Sequence, residues 1–245
     1  MARIALITGG MGGLGTAICK TLAKSGHIVV TTYSGNEEKC KSFLTKTQAE
    51  GFKFHAYKCD VANFESCTEM VAKIKQDIGC VDVLVNNAGI TRDGQLKKMS
   101  QEAWQAVIDT NLTSLFNMTK QVLDDMLESG FGRIINISSI NGQKGQFGQV
   151  NYSAAKAGVH GFTMALAQEV ARKGITVNTI APGYLATDMV MAVSEEIRNK
   201  IIAGIPVGRL GSPEEIAALV DYVASDYAAF MTGSEIAING GQHMM

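Results

Sequence analysis

Short apolar runs alternate with helical patterns along the chain, and this alternation restricts the fold more than any other feature. The predicted strands are Ile4 to Ile7, Ile28 to Thr32, Phe54 to Lys58, Val83 to Val85, Ile134 to Ser138, Thr176 to Ala181 and Glu235 to Ile238. The predicted helices lie near residues 14–25, 36–50, 63–78, 101–128, 152–173 and 213–225. Repeated βα units build a parallel sheet with helices on both faces, and right-handed crossovers favour the doubly wound Rossmann order. The predicted fold class is therefore α/β.

No Pro/Ser-rich linker, repeat or low-complexity tract interrupts this pattern, so we predict one domain over residues 1–245. Residues 187–206 depart from the βα rhythm, because they mix apolar and charged side chains directly after Pro182-Gly183. Ligands of open α/β sheets bind at the carboxyl ends of the strands. We therefore predict a small helical lid over the substrate at 187–206. The alternative is a surface helix that packs on the core.

A glycine-rich turn follows the first strand. The run Arg3 to Thr8 leads into Gly9, Gly10, Gly12, Gly13, Leu14 and Gly15. Glycines let the backbone turn tightly and approach a pyrophosphate, and the helix that starts there directs unpaired N–H groups and its positive dipole end toward the anion. The position between a strand and a helix favours a phosphate-binding turn, whereas the structural alternative is a turn selected for packing.

Tyr152 and Lys156 are four residues apart in a predicted helix, so their side chains lie on one face. An ammonium beside a phenol favours the ionised form and lowers a phenol pKa of about 10 toward neutrality. Such a tyrosine can give a proton to a carbonyl oxygen while a hydride reaches the carbon. Ser138-Ser139 end an apolar run upstream, and Asn111 lies further back. Singly, each residue has a structural alternative as a helix-surface pair or a strand cap.

Five motifs follow one another along the chain: Thr8-Gly9-x-x-x-Gly13-x-Gly15, Asn86-Asn87-Ala88-Gly89, Asn111 with Ser139, Tyr152-x-x-x-Lys156 and Asn178-x-x-x-Pro182-Gly183. Together they resemble the short-chain dehydrogenase/reductase family, from residue 3 to about 241. Within the family the chain is most similar to bacterial 3-oxoacyl-thioester reductases. The segment Asn141 to Gln149, with Gly183-Tyr184, looks more like the acetoacetyl-CoA reductases than the acyl-carrier-protein reductases of fatty-acid synthesis.

The resemblance implies catalytic roles for Asn111, Ser139, Tyr152 and Lys156. Ser139 is preferred over Ser138 because it stands thirteen residues before the tyrosine, the spacing of the family, and because strand alternation points the two hydroxyls to opposite faces. Asn111 would connect to Lys156 through a water. The cofactor-binding residues implied are Gly9, Gly10, Gly12, Gly13, Leu14, Gly15, Ser34, Lys39, Asp60, Val61, Asn87, Ala88, Gly89, Ile90, Tyr152, Lys156, Pro182 and Gly183.

The end of the second strand predicts the choice of cofactor. Sites that prefer NAD usually place Asp or Glu there to bind the ribose 2′-hydroxyl, whereas a 2′-phosphate needs a cation. This strand ends in Thr31-Thr32-Tyr33-Ser34 without an acid. Lys39 falls where the similar reductases carry an arginine near the phosphate. NADPH is therefore the expected cofactor.

The expected reaction is reduction of a 3-oxoacyl thioester, with acetoacetyl-CoA and 3-hydroxybutyryl-CoA as substrate and product. The substrate-binding residues implied by the resemblance are Asp93, Gln146, Phe147, Gly148, Gln149 and Tyr184. The alternative substrate is an acyl-carrier-protein thioester. Gly130 stands where carrier-protein reductases usually have an arginine, although Lys173 keeps a second basic position, and Ser194 stands where the CoA enzymes have an arginine in the lid. A non-catalytic NADP(H)-sensing module is a further alternative that the intact tetrad disfavours.

Composition excludes several classes of partner and site. The formal net charge of −1 gives no reason to expect nucleic acid or an anionic membrane as a partner. The five scattered cysteines are typical of reduced cytosolic thiols, and no metal site is expected. Without a signal peptide or membrane span, a cytoplasmic protein is expected. The resemblance implies a homotetramer, with helices 101–128 and 152–173 in one interface and the last strand in another.

Overall fold

One sheet of seven parallel strands forms the centre of the computed structural model, which describes residues 2–244 apart from the side chain of Met189. The strand order is β3-β2-β1-β4-β5-β6-β7. The strands are β1 Ile4–Ile7, β2 Ile28–Tyr33, β3 Phe54–Lys58, β4 Val83–Asn86, β5 Gly132–Ile137, β6 Ile175–Pro182 and β7 Glu235–Ile238. The predicted doubly wound parallel sheet is thereby confirmed.

The principal helices follow the predicted positions. They are α1 Gly13–Lys24, α2 Glu37–Ala49, α3 Phe64–Asp77, α4 Gln101–Ile108, α5 Ser114–Ser129, α6 Ile140–Gln143, α7 Val150–Val170, α8 Asp188–Met191, α9 Glu195–Ala203 and α10 Pro213–Ala224. The single helix predicted over 101–128 is wrong in one respect, because a π-helical turn at Asp109–Thr113 separates α4 from α5. Such turns are frequent at functional sites, since they redirect a side chain. The short helix α6, which Ser139 caps, was not predicted from the sequence.

Two hydrophobic cores lie on the two faces of the sheet. Side chains of α3, α5 and α7 pack on one face, and those of α1 and α10 pack on the other. Strands covered on both faces read as continuous apolar runs, which is why β1, β4 and β5 were recognisable in the sequence. The neighbours β1 and β4 mark the point where the strand order reverses, and ligands of open α/β sheets bind at the carboxyl ends beside such a point.

Residues 187–206 carry the short helices α8 and α9 outside the two cores. None of the α9 side chains is buried, and Ile197 is 51% exposed. The segment is attached where it leaves and rejoins the body, through a bridge between Leu185 and Gly211 and through buried Ile205. Among residues 2–244, no helix is both long enough and apolar enough to cross a membrane.

Candidate active site

The glycine-rich turn is shaped by close backbone contacts. A Cβ at Gly10 would lie 2.1 Å from the Thr31 hydroxyl oxygen, and one at Gly15 would lie 2.4 Å from the Gly9 carbonyl oxygen. Gly9 has a φ of 66°, in the region that favours glycine. Gly12 differs, because a Cβ there would meet only the Gly9 oxygen, at 3.6 Å. The turn therefore needs glycine for its own packing at Gly9, Gly10 and Gly15 but leaves open space above Gly12.

Thr8 and Asn87 join this turn to the end of β4. The Thr8 hydroxyl oxygen accepts hydrogen bonds from the backbone N–H groups of Asn87 and Ala88, both over 3.0 Å. The Asn87 side-chain amide donates to the carbonyl oxygens of Thr8 and Gly9 at 2.9 and 3.3 Å. Asn87 thus holds the turn in place across the two strands at the switch point, a bracing role beyond the ligand contact implied by the resemblance.

The start of α1 fits a pyrophosphate. Its N-cap Gly12 provides no side-chain hydrogen bond, and the first turn holds no acidic residue. The first N–H groups of the helix are therefore free to bind an anion. A Cβ at Gly13 would lie 3.4 Å from the Thr187 side chain, so the beginning of the 187–206 segment reaches this helix end.

The predicted 2′-phosphate residues lie at the start of α2. Ser34 and Lys39 are exposed there. The two nearby carboxylates, Glu37 and Glu38, contact the Lys41 ammonium at 3.2 and 3.4 Å. None of the ion pairs within residues 2–244 includes Lys39, so its ammonium faces solvent without a carboxylate partner.

Asp60 and Val61, expected at the adenine, follow β3 in different environments. Asp60 is exposed, and its carboxylate accepts a hydrogen bond from the Ala62 N–H at 3.0 Å. Val61 is a core residue, 7% exposed, whose carbonyl oxygen accepts from the Asn117 amide. Asp60 is therefore the accessible member of the pair.

Tyr152, Ser139 and Lys156 meet at the carboxyl end of β5. A side-chain hydrogen bond links Ser139 and Tyr152. Lys156 lies one turn further along α7, with its ammonium nitrogen 5.7 Å from the centre of the Tyr152 ring. The same nitrogen donates to the Ile137 carbonyl over 2.8 Å. The sequence spacing thus places a phenol, a hydroxyl and an amine in one cluster.

The protonation state of Tyr152 differs from the sequence-based expectation. Burial raises the pKa of the phenol above its ordinary value, the hydrogen bond from Ser139 lowers it less, and the Asp93 carboxylate raises it further. Burial also lowers the pKa of Lys156 to about 8. The expected lowering of the Tyr152 pKa by Lys156 is therefore wrong for this structure, because desolvation raises the pKa more than the Ser139 hydrogen bond lowers it.

Asn111 occupies the π-helical turn and is fully buried. Its side-chain amide donates to the carbonyl oxygens of Ile90 and Val107 at 2.9 Å, and its oxygen accepts from the Ile90 N–H at 3.3 Å. A Cβ at Gly89 would lie 2.6 Å from the Asn111 oxygen and 3.7 Å from the Lys156 ammonium. Asn111 therefore fixes the loop at Gly89 and Ile90 next to Lys156.

The predicted substrate loop is connected to the loop after β4. Gln149 accepts from the Asn141 amide and donates to the Asp93 carboxylate, each over 2.9 Å. The Gly148 carbonyl oxygen accepts from the Gly94 N–H at 2.8 Å. Phe147 is 81% exposed at the tip of the loop, beside exposed Gln146. Gln149 thus connects three segments, whereas Phe147 and Gln146 are free to contact a ligand.

Pro182, Gly183 and Tyr184 leave β6 at the same edge of the sheet. The Gly183 N–H donates to the Ile238 carbonyl oxygen at 2.9 Å, and a Cβ at Gly183 would lie 2.8 Å from the Asn239 Cα. Tyr184 borders a cavity of about 220 Å³ that also contacts Arg209 and Ile238. This wall faces the attachment of the 187–206 segment.

Known proteins resemble this chain over nearly its full length. A family model described as short chain dehydrogenase matches residues 3–198. The chain belongs to the short-chain dehydrogenase family. It is 58% identical over 242 residues to an acetoacetyl-CoA reductase of Cupriavidus necator, covering 99% of this chain and 98% of that protein. It is 60% identical over 239 residues to nodulation protein G of Azospirillum brasilense, covering 98% and 97%.

A 3-oxoacyl-[acyl-carrier-protein] reductase of Vibrio cholerae is more distant, with 44% identity over 245 residues, covering 99% of this chain and 98% of that protein. The family and the oxidoreductase class predicted from the sequence are thereby confirmed for this short-chain dehydrogenase. Membership of this family indicates that the enzyme uses a nicotinamide cofactor.

Two polar residues of this short-chain dehydrogenase, His160 and Glu235, were missed as candidates in the sequence, and Ser138 was considered there only as an alternative to Ser139. Ser138 donates its hydroxyl to the Lys156 carbonyl oxygen, and His160 and Glu235 continue the hydrogen-bonded chain behind it. One signal was available, because His160 stands four residues after Lys156, as Lys156 stands four after Tyr152. No pattern in the sequence pointed to Glu235, because it lies 75 residues after His160.

Proposed function

We propose that this short-chain dehydrogenase reduces a 3-oxoacyl thioester, acetoacetyl-CoA to 3-hydroxybutyryl-CoA, with NADPH. The observation that carries the proposal is the protonated, half-buried Tyr152 phenol, hydrogen-bonded to Ser139 and one helical turn from the Lys156 ammonium. A proton donor and a second hydroxyl side by side suit the oxygen of a carbonyl group. An intact set of this kind argues against a cofactor-sensing module without catalysis.

Each catalytic residue has a distinct task. Ser139 and Tyr152 bind the oxo oxygen of the substrate, and Tyr152 gives that oxygen its proton, which burial keeps on the phenol until the reaction. When bound, the nicotinamide supplies the hydride that adds to the carbonyl carbon. The Lys156 ammonium binds the ribose and stabilises the tyrosinate that remains. Asn111 holds the Gly89 loop and leads a replacement proton to Lys156 through a water.

Two parts of the proposed cofactor site support NADPH, the turn that would bind the pyrophosphate and the position of the 2′-phosphate. The Gly12 and Gly13 turn binds the pyrophosphate through the first N–H groups of α1. The end of β2 carries no acid to bind a 2′-hydroxyl, and the unpaired Lys39 ammonium is available for a 2′-phosphate. The single charge of Lys41 offsets one of the two negative charges of Glu37 and Glu38, so these carboxylates repel the phosphate less than their number implies.

Coenzyme A is proposed as the thioester carrier. The acetoacetyl-CoA reductase of Cupriavidus necator is more similar to this chain than the carrier-protein reductase of Vibrio cholerae. An acidic carrier protein needs an exposed basic patch, and Gly130, which ends α5 with a φ of 69°, offers no side chain there. Lys173 is exposed beside exposed Arg172, so only one part of such a patch is present. The loop with exposed Gln146 and Phe147 offers a wall for the CoA handle.

Comparison of acetoacetyl-CoA with acetoacetyl carrier protein as substrates of the purified enzyme tests this function. We expect a higher kcat/KM for acetoacetyl-CoA, since remote binding must provide the discrimination. Gln149→Ala and Tyr184→Phe raise KM for acetoacetyl-CoA, by roughly threefold to tenfold for the loss of two hydrogen bonds at Gln149. Gln48→Ala, on the exposed face of α2, is the matched control. Equal or better efficiency with the carrier-protein substrate assigns the enzyme to fatty-acid synthesis instead.

A homotetramer in the cytoplasm remains the proposed assembly and location. Phe116 of α5 is 53% exposed and stacks on Phe64, and Met164 of α7 is 53% exposed, so apolar side chains lie on the helices expected in one interface. Phe230, fully exposed before β7, lies near the second. Light scattering of the purified protein tests the tetramer.

The 187–206 segment, with exposed Ile197, is proposed as the substrate lid.

A further inference from the structure

A chain of hydrogen-bonded side chains lies behind the catalytic lysine and is not used by the proposed chemistry. Ser138 donates to the Lys156 carbonyl oxygen over 2.8 Å, and the His160 Nε2 lies 2.9 Å from the Ser138 hydroxyl. The His160 Nδ1 lies 2.5 Å from a Glu235 carboxyl oxygen. The other Glu235 oxygen accepts a hydrogen bond from the Gln143 amide. The chain thus connects α6, β7, α7 and the end of β5.

The direction of each hydrogen bond follows from the chemistry of the groups. A carbonyl oxygen only accepts, so the single Ser138 proton goes to Lys156, and the His160 Nε2 must donate to Ser138. The Nδ1 of His160 then shares one proton with Glu235, either as imidazolium and carboxylate or as imidazole and carboxylic acid. Without this proton, two lone pairs would face each other at 2.5 Å.

The Ser-His-Glu order is that of a hydrolase triad, but the geometry excludes a nucleophile. Ser138 is 4% exposed, and its proton is committed to a backbone carbonyl rather than to the histidine. A nucleophilic serine instead gives its proton to the histidine and faces a substrate.

The backbone of Lys156 is enclosed from two sides. A Cβ at Gly142 of α6 would lie 2.7 Å from the Lys156 carbonyl carbon, so α6 packs directly on this turn of α7. The bond from Gln143 to Glu235 ties α6 to β7, and the Ser138 bond ties the Lys156 carbonyl to the end of β5. Tyr152, Lys156 and His160 occupy one face of α7 at four-residue intervals.

We propose that His160 and Glu235 form a positioning pair that sets the place of Lys156 through Ser138 and α6. The inference rests on the proposed role of Lys156 in binding the cofactor and supporting Tyr152. The charged groups around His160 are Glu235 from β7 and Lys156 on its own helix, while Ser138 and Gln143 are neutral. If the Lys156 side chain is held less tightly, water reaches its ammonium. Solvation then returns the pKa of Lys156 from about 8 toward the ordinary lysine value.

The test compares His160→Phe, Glu235→Ala and Glu235→Gln with the wild type. Phenylalanine keeps the ring but removes both nitrogens, whereas glutamine keeps the hydrogen bonds of Glu235 and removes its charge. His55→Phe is the matched control, because His55 is also half-buried but lies in β3 at the opposite edge of the sheet. The measurements are the NADPH dissociation constant by fluorescence titration, kcat with acetoacetyl-CoA, and the pH profile of kcat/KM.

We expect His160→Phe and Glu235→Ala to weaken NADPH binding and lower kcat by about tenfold, and to move the alkaline limb of the profile upward by about one pH unit. For Glu235→Gln and His55→Phe, we expect the NADPH dissociation constant and kcat to stay within about threefold of the wild-type values. The inference is overturned if His160→Phe lowers only the melting temperature, or if Glu235→Gln is as damaging as Glu235→Ala. A wild type inactive on every 3-oxoacyl thioester refutes the proposed function, whereas NADPH titration still decides the positioning pair.

Discussion

The Lys156 ammonium donates a hydrogen bond to the Ile137 carbonyl oxygen at the end of β5, over 2.8 Å. This contact joins α7 to the central sheet and restricts a long flexible side chain that would otherwise have many rotamers. An ammonium has three donors, so this bond leaves others for a ribose or a water. The contact also keeps the nitrogen in a desolvated place, and burial there lowers the pKa of Lys156 to about 8.

Charge reversal at Lys39 tests the proposed 2′-phosphate site. Lys39→Glu places a carboxylate beside the phosphate, so we expect kcat/KM with NADPH to fall by about tenfold or more, a change of about 1.4 kcal/mol. NADH lacks the phosphate and should lose much less. Steady-state kinetics with both cofactors measures this, with Lys46→Glu in the last turn of the same helix as control. A wild-type preference for NADH would contradict the proposed cofactor.

Removal of the phenol oxygen separates chemistry from binding. Tyr152→Phe keeps the ring packing but deletes the proton donor, so we expect kcat to fall by about a hundredfold or more while NADPH affinity stays near the wild-type value. Lys156→Ala should damage both, because the role proposed for Lys156 includes binding the ribose. Fluorescence titration and single-turnover kinetics separate the two effects. Retention of more than a few per cent of activity in Tyr152→Phe would require another acid.

The pH dependence of the reaction follows from two pKa values that burial moves in opposite directions. Burial raises the pKa of Tyr152, so the phenol stays protonated above neutral pH. The pKa of Lys156, lowered to about 8, makes its ammonium lose the proton first as the pH rises. We therefore expect kcat/KM for reduction to decline above about pH 8.

The same lowered Lys156 pKa has a consequence for stability. Between pH 8 and the ordinary lysine value the unfolded chain binds more protons than the folded one, so this group makes the free energy of unfolding rise with pH in that window. Denaturant unfolding of the wild type and of Lys156→Met between pH 7 and 10 measures this pH dependence of the free energy of unfolding. An identical pH dependence in the two proteins would show that Lys156 is not desolvated.

Two neighbouring glycines should respond differently to the same substitution. Gly12→Ala meets only the Gly9 oxygen at 3.6 Å, so it should preserve the melting temperature but weaken NADPH binding by about tenfold, because its methyl group fills the phosphate cradle. Gly10→Ala places a Cβ 2.1 Å from the Thr31 hydroxyl oxygen, and such overpacking costs about 1–3 kcal/mol of stability. Calorimetry with and without NADPH distinguishes them. Equal melting temperatures for the two variants would refute the packing argument.

The sequence by itself determined the features that depend on local order along the chain. Buried strands read as apolar runs, the turn from Gly9 to Gly15 follows its strand directly, and Tyr152 and Lys156 share a face because the helix repeats every 3.6 residues. These patterns predicted the parallel sheet, the glycine-rich turn proposed to bind the pyrophosphate, and the Tyr152–Lys156 pair proposed as catalytic.

Only the tertiary structure decided the contacts between residues far apart in the sequence and the electrostatics that burial produces. Periodicity does not show that Glu235 meets His160, or that Gln149 bridges Asn141 and Asp93. The direction of the Tyr152 pKa was also beyond the sequence, because spacing reveals the nearby ammonium but not the loss of water around the phenol. Desolvation depends on every segment that closes over the site, and those segments come together only in the folded chain.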